Sequence, residues 1–466
     1  MIFHPKHTTI TDGVYRFGGD LTAVAHPCLN KAALLKFWKN FTFGFSTLTV
    51  TETEGYRFTL GQADSLPLEG NAYSIRITRE GVCISANGRQ NLIHGLMTLL
   101  DRIRVAEEED GFLELDCCEI RDLPSVGTRM VHFCIFPETE LWELERFIRL
   151  CAALKYTHIV LEFWGMVKYD CMEELAWPHA YTKEELSPIM AEARDLGLEI
   201  IPMFNHWGHA TASRVMHGKH VVLDQNPAKQ SYFTEDGWCW DIRKPKVREL
   251  MRHIRAELTE LCGEGKFFHV GCDEAYNFDL NPVENRDAIC DYLNEISAEM
   301  TARGRRIILW GDMFLYRHPH YTRGYTCLSP SAEAEAYMLD RLSKDVVIAD
   351  WQYFPGRGAV ETSEVFVRAG FDTLICPFDC GMEHTEGCLE TAKQEGMMGL
   401  LHTTWNTLSK GTPFVLLSAM GCYDGDFPKD HTMCMTYTAA VLRKASPVEG
   451  DYRRAGWAKF QTGVYH

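Results

Sequence analysis

Short apolar runs alternate with amphipathic segments along the chain from Asp122-Leu123-Pro124 onward. Eight such runs occur, at residues 129–136, 158–164, 199–205, 267–272, 306–312, 346–353, 373–378 and 399–405. Apolar runs of this length separated by helical patterns are typical of β-α units on a parallel sheet. Eight units in succession predict an α/β fold of the (β/α)8 TIM-barrel type rather than a doubly wound sheet.

The segments between the runs have the periodicity and the end signals of helices. Residues 182–196 begin with Thr182 and Glu185 at the spacing of a capping box and end before Gly197. Residues 245–262 carry an apolar stripe with the helical period. Both segments predict helices that cover the outside of the barrel.

The first part of the chain has a different pattern of apolar and polar residues. Residues 73–78 and 82–86 alternate between apolar and polar positions, and Arg79-Glu80-Gly81 joins them as a hairpin connection. Apolar residues then recur at helical spacing over residues 92–103. These patterns predict a small N-terminal α+β domain at residues 1–118 and a catalytic barrel at residues 119–466.

The charge balance limits the partners. The chain has 47 Lys and Arg against 64 Asp and Glu, a net charge of -17. That sign repels phosphate backbones and anionic membrane surfaces, so we expect neither nucleic acid nor a membrane as a partner. No stretch approaches the ~18 apolar residues that span a bilayer.

The start of the chain and the cysteines bear on location. Met1 to His7 contains no apolar run of signal-peptide length, from which we expect a cytoplasmic protein. The 17 cysteines are scattered and form no Cys-x-x-Cys pair, so we expect mostly reduced, buried side chains. The sequence leaves the oligomeric state open.

The active site of a TIM barrel lies at the carboxyl ends of its strands, and the predicted strand ends are rich in aromatic and charged residues. They carry Glu162 and Trp164, His206 and His209, Asp273 and Glu274, Trp310 and Asp312, Trp351 and Tyr353, Asp379, and Trp405, with Arg129 inside the first strand. Apolar rings with a few fixed polar groups suit a sugar-binding pocket.

The sharpest chemical feature is the adjacent pair Asp273 and Glu274, which follows the apolar run 267–272. Neighbouring side chains of a strand point to opposite faces, so both carboxylates serve one site only where the strand ends. Adjacent carboxylates cannot flank a glycosidic bond as a nucleophile and an acid, which stand about 5 Å or more apart. A 2-acetamido group on the substrate could instead supply the nucleophile.

The segment His269-Val270-Gly271-Cys272-Asp273-Glu274 resembles the signature of glycoside hydrolase family 20, the β-N-acetylhexosaminidases. The version with Cys272 looks most like the hexosaminidase D-like branch. The resemblance covers nearly the whole chain, because the first domain is similar to the small α/β domain that precedes the barrel in this family. It implies an exo-acting, retaining enzyme that removes terminal β-linked N-acetylglucosamine or N-acetylgalactosamine through an oxazolinium intermediate, without a cofactor or metal.

The resemblance also implies a role for each site residue. Asp273 would orient the acetamido group, and Glu274 would act as general acid and then as base. Arg129 and Asp379 would hold the sugar hydroxyls. His209 would lie beside the acid, with Glu162 as its partner. The walls of the pocket would be formed by Trp310, Trp351 and Trp405.

Two positions depart from the family pattern. The seventh strand has Pro377-Phe378-Asp379 where the family commonly has Tyr-Leu-Asp, so a tyrosine that bonds the acetamido oxygen is missing; Tyr353 is a substitute from the sixth strand. Asn406-Thr407 follows Trp405 where many members carry a glutamate. The preference between the gluco and galacto configurations therefore stays open.

Two alternatives to the glycosidase remain. His206, His209, His269 and Asp273 could bind a divalent ion in a metal-dependent barrel hydrolase, although no His-x-His ends the first strand. A carbohydrate-binding barrel without turnover is the other alternative. For the glycosidase, we expect burial and the charge of Asp273 to raise the pKa of Glu274, with activity falling at alkaline pH.

Overall fold

Two sheets organise the protein. The computed structural model describes residues 3–42, 44–68, 72–106, 111–211, 220–405, 408–425, 427 and 436–442. One sheet lies in the N-terminal region and has mixed strand directions, and the other closes on itself as a parallel barrel. Within the described residues, no helix is both long and apolar enough to cross a membrane.

The N-terminal sheet has the order β1-β8-β5-β6-β4-β2-β3, with β7 paired to β8. Its elements are β1 His7–Phe17, β2 Gly19–Ala25, α1 Lys31–Phe41, β3 Ser46–Glu52, β4 Arg57–Gly61, β5 Tyr73–Thr78, β6 Gly81–Ala86, α2 Arg89–Arg102, β7 Arg104–Val105 and β8 Leu113–Asp122. The predicted hairpin is confirmed, because β5 and β6 pair antiparallel with Thr78 opposite Gly81. The domain boundary predicted at residue 118 falls inside β8, which stays paired in this sheet to its end.

The barrel strands follow one another in chain order and close through the pair β16 and β9. They are β9 Thr128–Cys134, β10 His158–Glu162, β11 Glu199–Met203, β12 Phe267–His269, β13 Arg306–Trp310, β14 Val347–Trp351, β15 Asp372–Cys376 and β16 Gly399–His402. The (β/α)8 prediction is confirmed. Each strand ends two or three residues before the predicted apolar run does, because the chain leaves the ladder there to form the mouth of the barrel.

The helices around the barrel include both predicted ones. They are α3 Leu141–Ala153, α4 Lys183–Asp195, α5 Val222–Gln225, α6 Pro245–Cys262, α7 Val283–Ala302, α8 Ala332–Arg341, α9 Glu361–Arg368, α10 Met382–Gln394 and α11 Leu408–Asp424. The side chain of Thr182 accepts from the backbone of Glu185, and Glu185 bonds back to Thr182. The predicted capping box of α4 is therefore present.

Alternate residues of the barrel strands point into its centre. Met130 of β9 and Val160 of β10 belong to one apolar cluster in the barrel together with residues of the other strands, among them Ile201, Ile308, Val347, Leu374 and Leu401. Side chains alternate along a strand, so the residues two positions further on, His132 and Glu162, face the same interior nearer the mouth. This alternation decides which side chains of a strand face the interior and can reach a ligand.

Lys155 joins the N-terminal sheet to the barrel. It is fully buried after α3, and its ammonium donates to the hydroxyl of Tyr73 at 3.1 Å and lies 3.9 Å from the carboxylate of Asp122. It also sits 3.9 Å from the ring centroid of Tyr423 in α11 and 4.5 Å from that of Phe3. The two domains thus share a buried cation held by aromatic rings and a carboxylate.

Candidate active site

The chain turns sharply where β12 ends, and this turn brings two adjacent carboxylates to one place. Gly271, Cys272 and Glu274 have positive φ angles of 65°, 77° and 49°. Left-handed backbone is costly for residues with a side chain and persists where the surroundings impose it. Both Asp273 and Glu274 reach the imidazole of His209, whose Nε2 lies 3.3 Å from Oδ2 of Asp273 and 3.2 Å from Oε2 of Glu274.

Asp273 is held in place from the third strand's loop. The amide of Asn205 donates to its Oδ1 at 2.8 Å, and the side chain of Asp273 is buried. The two loops touch so closely that a Cβ on Gly208 would clash with the carbonyl oxygen of Asp273. The sequence analysis gave Asn205 no role, although the amide is the group that fixes this carboxylate.

Glu274 faces the open side of the mouth, with its side chain 23% exposed. Trp238 donates its indole N–H to the carbonyl oxygen of Glu274 at 2.6 Å. The ring of Tyr276, a residue that is 55% exposed, stacks on Trp238 at 6.1 Å with an interplanar angle of 21°. These two rings form an aromatic rim directly beside the proposed acid, and the sequence analysis did not single out Tyr276.

The surroundings of Glu274 lower its pKa. Burial acts to raise the pKa, but hydrogen bonds with His209 and Tyr276 stabilise the carboxylate and hold the pKa below its ordinary value. The charge of Asp273 opposes this lowering. The expectation of a raised pKa for Glu274 is therefore wrong, because it counted burial and the neighbouring acid without the two hydrogen-bonding partners.

Asp312, just after β13, links the acid pair to the pocket wall. Its Oδ2 accepts from the backbone N–H of Glu274 at 2.9 Å, and its Oδ1 accepts from the indole N–H of Trp351 at 3.2 Å. Burial, together with the charges of Asp273 and Glu274, raises the pKa of Asp312 well above its ordinary value. The sequence placed Asp312 at a strand end but did not indicate this bridging position.

The predicted aromatic wall comes together at the mouth. The rings of Trp310 and Trp405 lie 5.9 Å apart, and those of Trp351 and Tyr353 lie 5.1 Å apart. The indole N–H of Trp405 donates to the hydroxyl of Tyr353 at 2.8 Å. The wall is thus one connected group; the departure at Asn406-Thr407 lies outside the described residues.

The hydroxyl of Tyr353 is fully engaged in this wall. The hydroxyl of Thr403 donates to the carbonyl oxygen of Pro377 at 2.9 Å, so it accepts the proton of Tyr353 across 2.8 Å. Phe378, the residue after the position where the family commonly has a tyrosine, packs against Tyr353 with ring centroids 5.0 Å apart. Tyr353 therefore occupies the side of the pocket from which the missing tyrosine would act.

Arg129 does not reach the mouth. It precedes the inward-facing Met130, so its side chain points out of the barrel at the amino end of β9. The guanidinium is 1% exposed and donates to the carbonyl oxygens of Lys155, Val126 and Gly127 at 2.8 to 2.9 Å. The prediction that Arg129 holds sugar hydroxyls is wrong. Because side chains alternate along β9, the side chain of Arg129 points out of the barrel toward the N-terminal domain.

Glu162 faces the barrel interior, but its partner is not the predicted one. Its Oε2 lies 3.0 Å from Nε2 of His132, a residue of the neighbouring strand β9. The expectation that Glu162 supports His209 is therefore wrong. His209 is instead held by the carboxylate pair and by the ring of Trp238, whose centroid is 4.6 Å from its own.

Asp379 follows β15 and contacts the next strand. Its Oδ1 lies 3.4 Å from Nε2 of the buried His402, whose Nδ1 is 2.8 Å from the hydroxyl of Ser418 in α11. The structure thus places Asp379 on the side of the mouth where α11 begins. Its proposed contact with outer sugar hydroxyls stays a prediction.

The four residues of the metal alternative do not converge. His206 points away from the pair, since its Nδ1 lies 2.6 Å from the carbonyl oxygen of Phe204. Burial and the charge of Arg255 lower the pKa of His206 well below its ordinary value, and the rings of Phe204 and Phe268 pack against its imidazole. His269 accepts from the backbone N–H of Gly271 through its Nδ1 at 3.0 Å. Within the described residues, this set forms no ligand cluster with His209 and Asp273.

A closed parallel barrel whose mouth carries a carboxylate pair and a tryptophan wall is an architecture of glycoside hydrolases. The model of the glycosyl hydrolase family 20 catalytic domain matches residues 160–410, and the model of domain 2 of the same family matches residues 4–123. The chain belongs to glycosyl hydrolase family 20. The assignment to the hexosaminidase D-like branch stays a prediction.

Relatives and solved structures agree with the assignment of the chain to family 20. A β-hexosaminidase of Akkermansia muciniphila is 26% identical over 45% of this chain and 46% of its own length, and one of Porphyromonas gingivalis is 23% identical over 48% and 31%. The chain spans less than half the length of these relatives. The fold is similar to that of a Streptomyces coelicolor family 20 β-N-acetylhexosaminidase, with a TM-score of 0.66, 16% identity, and 95% of each chain covered. A Vibrio harveyi family 20 exo-β-N-acetylglucosaminidase has a TM-score of 0.65 and 16% identity, over 100% of this chain and 76% of that chain.

Proposed function

We propose that this protein is an exo-acting, retaining β-N-acetylhexosaminidase that removes terminal β-linked N-acetylglucosamine or N-acetylgalactosamine. The observation that carries the proposal is the meeting of Asp273 and Glu274 at one imidazole, within 3.3 Å of Nε2 of His209. Carboxylates this close cannot stand on opposite sides of a scissile bond as nucleophile and acid. A substrate that brings its own nucleophile, the 2-acetamido oxygen, is the chemistry that suits them.

The first step breaks the glycosidic bond. Glu274 gives its proton to the glycosidic oxygen while the acetamido oxygen attacks the anomeric carbon, and the leaving alcohol departs with its bonding electron pair and that proton. Asp273 orients the acetamido N–H and stabilises the positive charge that develops on it. Asn205 supports this role, because its amide holds one oxygen of Asp273, and the other oxygen lies 3.3 Å from Nε2 of His209.

The second step opens the oxazolinium ion. Glu274, now a carboxylate, accepts a proton from water as the water oxygen attacks the anomeric carbon and the acetamido oxygen leaves. Two inversions at one carbon give net retention. No group beyond the protein and water enters these steps.

Glu274 must carry a proton when the substrate is in place. A leaving group beside Glu274 displaces the hydroxyl of Tyr276 from the carboxylate and shields it from water, and both changes raise the pKa of Glu274 in the complex. His209 lies within 3.3 Å of both carboxylates. Activity is therefore expected to fall at alkaline pH.

The wall supports recognition of a single terminal sugar. Trp310, Trp351 and Trp405 offer apolar faces to the acetamido methyl and to the ring, and Tyr353 ties the wall together. Tyr353 is the proposed replacement for the family's acetamido-binding tyrosine, a role in which its proton turns from Thr403 to the acetamido oxygen when the substrate binds. Asp379 is the proposed contact for outer hydroxyls. We also propose a cytoplasmic location, because the scattered cysteines indicate mostly reduced side chains.

The test is the initial rate on the 4-nitrophenyl β-glycosides of N-acetylglucosamine and N-acetylgalactosamine, for the wild type and for Glu274→Gln. Glu335→Gln is a matched control, because Glu335 is also buried and hydrogen-bonded, to His318 and the backbone of Tyr316, but lies outside the mouth. Release by the wild type and the control, with a collapse in Glu274→Gln, supports the reaction and the acid. Binding of N-acetylglucosamine without release from either glycoside would favour the carbohydrate-binding alternative.

A further inference from the structure

Three potential metal ligands meet inside the barrel, beneath the aromatic wall. His132 and Cys134 are two residues apart on β9, so both side chains point into the barrel. Glu162 is the residue of β10 that is paired in register with Cys134, and it points into the same interior. Strand phase and register therefore bring one nitrogen, one sulfur and one oxygen to neighbouring positions of the interior, with His132 two residues before the paired Cys134 and Glu162. This His-x-Cys pattern stands where metal-binding barrels carry a His-x-His.

The donor atoms are spaced as ligands of one ion. Nε2 of His132 lies 3.0 Å from Oε2 of Glu162, and Sγ of Cys134 lies 3.7 Å from the same oxygen and 3.9 Å from Nε2. Tetrahedral zinc with bonds of about 2.0 to 2.3 Å separates such donors by about 3.3 to 3.6 Å. Shifts of a few tenths of an ångström at each side chain would bring all three donors to a common centre.

Burial and charge also favour a cation at this position. His132, Cys134 and Glu162 are at most 2% exposed. A buried carboxylate is costly unless a positive charge compensates it. A dication bound by one carboxylate, one thiolate and one neutral imidazole gives a site of zero net charge, and this mixture of donors suits zinc better than magnesium or calcium.

The neighbouring contacts hold these side chains in position. The hydroxyl of Thr404 donates to the carbonyl oxygen of His132 at 2.7 Å, and the carbonyl oxygen of Thr404 lies 3.5 Å from Sγ of Cys134. The ring of His132 packs against Trp405 at 4.5 Å and against Trp310 at 6.1 Å. Supporting contacts and an apolar surrounding of this kind orient the ligands of protein metal sites.

We propose that Nε2 of His132, Sγ of Cys134 and Oε2 of Glu162 bind one zinc-type transition-metal ion. The ion has a structural role: through His132 it fixes the floor on which Trp405 and Trp310 rest. The site differs from the metal centre considered from the sequence, since it uses none of His206, His209, His269 or Asp273. The proposal does not rest on the glycosidase activity.

The first experiment measures metal in the full-length, tag-free protein. The wild type, Cys134→Ser and Cys376→Ser are loaded with zinc sulfate, dialysed, and analysed by inductively coupled plasma mass spectrometry. Cys376 is the matched control, because it is also buried in the barrel but donates to the carbonyl oxygen of Leu374. We expect one equivalent of zinc per chain in the wild type and in Cys376→Ser, and its loss in Cys134→Ser.

The second experiment tests whether the sulfur of Cys134 is a metal ligand. It also distinguishes a variant that has lost the metal from one that does not fold. Cobalt(II) added to the metal-depleted wild type should produce a thiolate-to-cobalt absorption band that Cys376→Ser keeps and Cys134→Ser lacks. Zinc should also raise the thermal unfolding midpoint of the wild type, because an ion that binds only the folded chain stabilises it. Wild-type protein without bound zinc, cobalt band or stabilisation overturns the proposal, and so does an unchanged band in a folded Cys134→Ser.

Discussion

The carboxylate of Asp312 accepts a hydrogen bond from the backbone N–H of Glu274 over 2.9 Å. Glu274 has a positive φ of 49°, a conformation that its own side chain disfavours, so this bond is one of the contacts that holds the proposed acid in its orientation. The second oxygen of Asp312 holds the indole of Trp351. One buried carboxyl group thus couples the acid to the pocket wall.

Replacement of Asp312 by Asn should lower kcat more than it raises KM. An amide has one acceptor oxygen, so either the N–H of Glu274 or that of Trp351 loses its partner, at a cost of about 1–3 kcal/mol. We expect kcat to fall about ten-fold or more, and further in Asp312→Ala. Steady-state kinetics on the 4-nitrophenyl glycosides measure both constants.

Asp350→Asn is the control for Asp312. Asp350 is equally buried, and burial also raises its pKa, but its partners are the hydroxyls of Thr362 and Ser363 outside the mouth. The Asp350→Asn variant should be less stable than the wild type, with unchanged kcat and KM. Equal kinetic effects of the two variants would mean that Asp312 has only a structural role.

Replacement of Tyr276 by Phe should move the alkaline limb of kcat/KM to higher pH. The hydroxyl of Tyr276 stabilises the carboxylate form of Glu274 and so contributes to its lowered pKa. Without that bond the pKa of Glu274 rises, and the protonated acid persists to higher pH. Tyr337→Phe serves as a control, because Tyr337 donates to the carboxylate of Asp287 at 2.6 Å away from the mouth. A limb that stays in place or moves to lower pH contradicts the proposed contact.

Replacement of Tyr353 by Phe should weaken the pocket wall. The N–H of Trp405 loses its acceptor and the hydroxyl of Thr403 loses its donor, so we expect kcat/KM to fall about ten-fold. Tyr325→Phe removes a hydroxyl that donates to the carbonyl oxygen of Ala359, outside the wall, and should leave the kinetics unchanged. Full activity of Tyr353→Phe would exclude Tyr353 as the replacement for the missing tyrosine.

Replacement of Arg129 by Met should affect stability and not substrate binding. The carbonyl oxygens of the buried residues Val126 and Lys155 lose a charged donor, each at a cost of about 1–3 kcal/mol, so the midpoint of thermal unfolding should drop by several degrees. Arg305 also donates from a buried position to backbone carbonyls, those of Phe267 and Gly263, and Arg305→Met should behave alike. A raised KM in the folded Arg129 variant would restore its predicted role in the site.

The pH dependence of stability should contain a contribution from Lys155. Burial lowers its pKa from 10.5 to about 8. Between these values the unfolded chain binds the proton and the folded chain does not, so Lys155 makes stability rise with pH across this window. Asp424 titrates below this window, because burial raises its pKa only to about 6. Burial raises the pKa of Tyr73 and Tyr423, so the unfolded chain loses their protons first near pH 10, an opposing effect that both the wild type and a Lys155 variant contain.

Comparison with Lys155→Met isolates that contribution. The free energy of unfolding of the wild type, measured with urea at several pH values from 7.5 to 10.5, should increase relative to that of the variant as the pH rises. A constant difference between the two proteins would show that Lys155 does not change its protonation within the window.

The sequence by itself determined the two-domain architecture, the eight barrel strands and the acid pair. These features are local: apolar runs, helical periodicity, a capping box at Thr182 and Glu185, and the short motif that ends in Asp273 and Glu274 each lie within a few residues of chain. The strand ends also predicted the tryptophans of the wall, since every barrel brings its strand ends to one mouth.

The tertiary structure alone decided which side chains face that mouth and how they titrate. Strands of a parallel barrel are apolar on both faces, so the sequence does not show whether Arg129 or His132 points inward. The direction of the pKa shift of Glu274 depends on His209 and Tyr276, which arrive from different loops. The cluster of His132, Cys134 and Glu162 likewise exists only because the register of β9 and β10 sets Glu162 beside Cys134, two residues along from His132. The distances between side chains on different strands are set by packing, so no short segment of the sequence specifies them.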